Sequence, residues 1–75
     1  MDLQARVADE LAQKALELAE ETGNPDIVDE IKKVIGTSST TLEEAYMTAV
    51  RVRRAETRAL DLIETKRATF RAENG

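Results

Sequence analysis

The sequence predicts an all-α fold: two shorter helices packed against one long C-terminal helix, a small helical bundle completed by dimerisation. Three observations lead there. Apolar residues recur at helical spacing along the chain, and no segment alternates as a strand would. Glycine and proline fall only at Gly23, Pro25, Gly36 and Gly75, so residues 41–73 run without a breaker. Finally, 75 residues with no cysteine and no histidine make one domain (1–75) at most, with nothing to staple a small core.

The first helix is expected over residues 2–22. Leu3, Val7, Leu11 and Leu18 form one stripe, Ala5, Ala12, Leu16 and Ala19 widen it, and Ala8 and Ala15 lie between. So wide a stripe implies more than one neighbour. Gly23 suits the left-handed position just past a helix end. Asn24 then fits an N-cap and Pro25 a first helical residue. The second helix is expected over 25–35, with Ile27, Val28, Ile31, Val34 and Ile35 as its apolar stripe and Gly36 as its end. Residues 36–40, GTSST, form the expected connector. Thr41 with Glu44, or Thr40 with Glu43, has the spacing of a capping box.

The third helix is expected over 41–73, roughly 50 Å at 1.5 Å per residue. Its best stripe is Leu42, Ala45, Ala49, Val52, Glu56, Ala59, Ile63, Lys66 and Phe70, flanked by Leu60. Tyr46, Met47 and Val50 lie off that stripe, so the first half is expected to be surrounded and the second half to touch fewer neighbours. By length, the second helix covers about a third of the third helix and the first about two thirds. Leu60, Leu62, Ile63 and Phe70 are left partly wet in a single chain, and an exposed stripe of that kind marks an interface. The expected partner is therefore a second copy, with the long helices antiparallel and meeting through Val52, Arg53, Glu56, Ala59, Leu60, Ile63 and Phe70. Glu56 interrupts the stripe. Arg53, three residues back, is the expected partner for its carboxylate, within the helix or across the dimer axis.

Charge is segregated. The chain carries net charge −4. Residues 1–36 hold 9 acids and 4 bases, whereas residues 37–75 hold 6 acids and 7 bases. The stretch RVRRAETR, 51–58, concentrates four arginines. Arg51, Arg54 and Arg58 share a face opposite the apolar stripe, and only Arg58 has an acid three or four residues away, Asp61. Acids of the first helix, in the same or a neighbouring subunit, or plain solvation answer this face in the simplest reading. An acidic protein partner is the next reading and nucleic acid the last. The acidic balance and the lack of interleaved aromatics count against nucleic acid. A helix-turn-helix with Ser39, Thr40 and Thr41 as its reading end sets Glu43 and Glu44 against phosphates.

The N-terminus, MDLQARVADE, has no apolar core of a signal peptide, and no apolar run approaches a membrane span. A cytoplasmic location is expected. Without cysteine, histidine or a glycine-rich phosphate loop, the chain is expected not to be an enzyme, and nothing in it implies a cofactor. The acid groups Asp9/Glu10, Glu17/Glu20/Glu21 and Asp26/Asp29/Glu30 lack the pattern of a calcium loop and are expected to be solvated helix faces. The functional reading that follows is a small non-enzymatic protein-interaction or regulatory module acting as a homodimer. The alternative is a small nucleic-acid-associated regulator using Arg51, Arg54 and Arg58.

Overall fold

A computed structural model describes residues 2–75. Among these described residues the chain forms three helices, α1 (Leu3–Thr22), α2 (Asp26–Ser38) and α3 (Thr40–Asn74). The two shorter helices pack against the long C-terminal one, and against each other.

Local chemistry sets the ends. The Asp2 carboxylate accepts the Ala5 N–H at 2.7 Å and caps α1. Gly23 closes α1 with φ 70, and the Gly23 and Asn24 N–H groups return to the Glu20 and Ala19 carbonyls. This is the Schellman closure, which glycine adopts without a Cβ penalty. The Asn24 side chain then accepts the Asp26 N–H at 3.1 Å, opening α2.

Two expected boundaries differ. Gly36 does not end α2; the helix runs through it to Ser38, and the connector of 36–40 contracts to Ser39 alone. Gly36 instead provides room. A Cβ there would collide with the Glu43 carboxylate, which lies over it. The cap of α3 is also not Thr40 or Thr41. Ser39, in extended backbone (φ −158, ψ 112), accepts the Leu42 N–H at 3.0 Å. Its hydroxyl reaches the third helical N–H only from that extended backbone, and residues already inside the helix lack it.

The core is built around one aromatic ring. Ala8, Ala12 and Ala15 of α1, Val28 and Ile35 of α2, and Tyr46 and Val50 of α3 are buried. Leu11, Leu16, Ile31, Leu42 and Met47 are partly buried around them. On α1 the alanines therefore form the centre of the buried face and the leucines its margins, with Leu3 and Leu18 exposed. Small residues allow close approach, and Tyr46 supplies the bulk that leucine would otherwise bring. On α3 the core face is Tyr46 and Val50, the residues expected off the main stripe. At 100° per residue, the Ala45–Val52–Ile63 stripe lies about a third of a turn away from that face. The Tyr46 hydroxyl donates to the Val28 carbonyl at 2.8 Å, tying α3 to α2. Burial, with the charge of Asp29, holds the phenol above its ordinary pKa despite the nearby Arg54.

Leu3 and Val7 lie beside Leu42, Asp9 meets Arg53, and Glu20 lies near Arg54 and Arg58. α1 and α3 thus run in the same direction, and α2 carries the chain back between them. Burial on α3 stops at Arg53, and every residue of 54–74 is exposed. This is less cover than the expected two thirds. The uncovered helix stretches the molecule to 54 Å. The radius of gyration is 15.9 Å, against about 11 Å for a compact chain of this length. The accessible surface is 5730 Å², against about 4,600 Å² for a compact monomer of this mass.

Two substitutions test this core. Tyr46→Phe is expected to cost about 1 kcal/mol through the lost hydrogen bond. Tyr46→Ala is expected to cost roughly 3–5 kcal/mol, enough to unfold a bundle this small in urea melts followed by circular dichroism. Gly36→Ala is expected to stay within about 1 kcal/mol of the parent, because the Glu43 side chain can swing clear while helix propensity improves.

Candidate functional site

Arg53 marks where the bundle ends. Its guanidinium donates from Nε to Asp9 Oδ1 at 2.9 Å and from Nη2 to Asp9 Oδ2 at 2.7 Å. This two-point bridge fixes the axial register of α1 against α3. Its Nη1 also donates to Glu56 Oε1 at 3.2 Å. Side-chain exposures are 33% for Arg53 and 27% for Asp9. The hydrogen bond from Arg53 is the main cause holding the Asp9 carboxyl below the ordinary range, and a second from Gln13, at 3.0 Å, adds to it against partial burial. Arg53 in turn is held above its already high ordinary value, chiefly by Asp9 and then by Glu56.

Asp9, grouped above with the solvated acids, is thus half of the bridge that joins two helices. The signal for it lies in spacing. Tyr46, Val50 and Arg53 are separated by four and three residues, so Arg53 continues the core face of α3, where an arginine demands a partner from α1. Glu56 interrupts the apolar stripe, more than half exposed and paired with Arg53 inside its own helix.

Beside this bridge runs an open apolar groove between the first half of α1 and α3. Its volume is about 440 Å³, and its lining includes Ala5, Ala45, Ala49 and Val52, with Asp9 and Arg53 at its end. The same stripe continues beyond the bundle through Ala59 and Ile63 to Phe70. Exposure is 53% at Leu60, 58% at Leu62, 49% at Ile63 and 64% at Phe70. Val52 is exposed as well, so the groove and the far stripe form one apolar track along α3.

The three arginines of the other face border two different grooves. Arg51 lies on the α2 side, lining a shallow groove with Lys32, Glu43, Glu44 and Met47. Arg54 and Arg58 lie on the α1 side, near Leu16, Glu20 and Thr57. None of the three makes an ion pair among the described residues. No helix among the described residues is long and apolar enough to cross a membrane.

What the surface offers chemically is a long apolar track bordered by fixed charges, with a recess at one end and bulky side chains at the other. No protein-family model, curated protein or solved structure matches this chain.

The Asp9–Arg53 bridge predicts an acid-sensitive contribution. The folded state depresses the Asp9 pKa, so its contribution is fully present above the unfolded value and is lost as pH falls through the folded one. Asp9→Asn is expected to be less stable than the parent at neutral pH, with the gap closing as pH falls from about 5 to about 2. Urea melts of both proteins across that range check this; a gap that does not change with pH would show that ionisation at Asp9 contributes nothing.

Proposed function

We propose that this is a small cytoplasmic, non-enzymatic interaction module that works as a homodimer, self-associating through the free half of α3. The observation that carries the reading is that residues 54–74 form helix with no buried position, yet hold Leu60, Leu62, Ile63 and Phe70. Water is a poor solvent for such a stripe. The area is of the right size. The chain's 5730 Å² of surface exceeds that of a compact monomer by about 1,100 Å², and a standard interface buries about 800 Å² on each partner. A second copy also adds apolar contact to a small core, three of whose seven buried residues are alanine.

Size exclusion with light scattering is expected to give twice the 8.3 kDa chain mass. Ile63→Asp, which sets a charge on the stripe, is expected to weaken association about tenfold or more without loss of helical signal in the monomer. A strictly monomeric parent, or an Ile63→Asp dimer as tight as the parent, would remove this surface from consideration.

A second reading rests on the exposed, unpaired Arg51, Arg54 and Arg58. Through them the module takes an acidic partner, either a protein helix or, in the alternative, a nucleic acid. Titration with duplex DNA and with RNA across salt separates the two, since phosphate contacts give steep salt dependence. The net charge of −4 opposes any acidic partner and counts most against the densely charged nucleic acid. The expected outcome is no salt-sensitive binding to either nucleic acid. Binding that disappears in an Arg51→Glu/Arg54→Glu/Arg58→Glu variant would instead establish the nucleic-acid role.

A further inference from the structure

We infer that the groove between α1 and α3 is the seat for the partner copy's α3, laid antiparallel so that the two-fold axis passes between Thr57 and Arg58. This rests on the homodimer reading and adds to it a register and a binding recess.

The argument begins with the spacing of the track. Positions 45, 49, 52, 56, 59, 63, 66 and 70 alternate steps of four and three, so the series reads the same from either end. In an antiparallel pair centred on it, Ala45 falls opposite Phe70, Ala49 opposite Lys66, Val52 opposite Ile63 and Glu56 opposite Ala59. Small side chains meet large ones at each end. The small ones, Ala45 and Ala49, are the residues that line the groove with Ala5 and Val52. The large one at the outer end, Phe70, stands free on a turn that nothing in its own chain covers. Each copy therefore offers both a recess and the ring to fill it, at the spacing a two-fold contact requires. The stem of Lys66 lies over Ala49 and its ammonium reaches water at the margin. Ala59 opposite Glu56 leaves the carboxylate space to stay with Arg53.

The parallel arrangement lacks this match. It sets Ala45 against Ala45 and leaves the groove empty, Phe70 against Phe70, Glu56 against Glu56 and Lys66 against Lys66. Like charges then face each other across the seam twice, which is unfavourable where water is displaced. The spacing alone would admit other centres; the register is chosen by the match of size, which sets the exposed Phe70 ring against the alanine-lined recess.

The chain has no cysteine, so introduced thiols report only on the positions chosen. Val52→Cys and Ile63→Cys proteins are prepared separately, then mixed, allowed to exchange and mildly oxidised. A covalent dimer containing one chain of each kind is expected from the mixture, and little from either variant alone, because a disulfide needs Cβ atoms about 4 Å apart. Ala45→Trp, which fills the recess, is expected to weaken association about tenfold or more with helical content unchanged. If light scattering finds a dimer but Ile63→Cys alone cross-links, the register is overturned while the homodimer reading stands, and cross-linking of Val52→Cys alone as well would show the helices to be parallel. A dimer in which the mixture fails to cross-link, or in which Ala45→Trp associates as tightly as the parent, likewise overturns the seat in the groove. A monomeric parent overturns both readings together.

Discussion

Tyr46 is the side chain on which the rest of the bundle depends. It is one of two aromatic residues in the chain and the largest that is fully buried. The remainder of the buried set is alanine, valine and isoleucine. With the bulk supplied from α3, α1 can present alanines and approach closely, and the phenol hydroxyl finds its partner on α2. A single residue thus touches the business of all three helices. Beyond Arg53 no position of α3 is buried, and the end of α1 reaches only as far as Arg54 and Arg58.

Arg53 separates two faces of that helix. On the core side it continues the line of Tyr46 and Val50 and closes the bundle with a charged clasp to Asp9. On the other side it borders the apolar track, with Glu56 held against it. An ion pair at such a partly wet site adds little to stability by itself. Its larger effect is geometric, since a two-point bridge favours the axial setting in which Asp9 and Arg53 face each other. That setting brings Ala5 level with Ala45 and Ala49, and so forms the recess. The shape of the surface proposed for association is in this sense a product of a contact inside the monomer.

The all-helical architecture was legible in the sequence because its determinants are local. Gly23, Asn24 and Pro25 announce a turn by backbone chemistry alone, and helical spacing needs no tertiary information. The exposure of Leu60, Leu62, Ile63 and Phe70 followed from counting lengths. What was not legible depends on choices between nearly equal alternatives. α3 carries two apolar lines about a third of a turn apart, and the longer one gives the stronger sequence signal although the shorter, with Tyr46 and Val50, is buried. Arg53's place on the core face, and with it the role of Asp9, depends on which line is buried. Glycine usually stops a helix, but the side chain lying over Gly36, Glu43, comes from another helix and has no trace in local sequence. Ser39 lost to its neighbours Thr40 and Thr41 for a similar reason: three adjacent hydroxyl residues are all competent caps, and only the backbone bend decides among them.

The bare half of α3 has a further consequence for motion. A lone helix of that length is marginal in water and gains most of its persistence from packing. Here the support on offer is intrahelical: Arg67 pairs with Glu64, while Thr57, Thr65 and Thr69 turn their hydroxyls back onto carbonyls four residues earlier. Such contacts add only tenths of a kcal/mol each, or nothing. The molecule is therefore stiff at one extremity and progressively softer toward the other. Amide protons near Tyr46 are expected to open only with the whole bundle, and those approaching Asn74 to fray on their own. In a chain of this design, order along the rod becomes a readout of whether company is present.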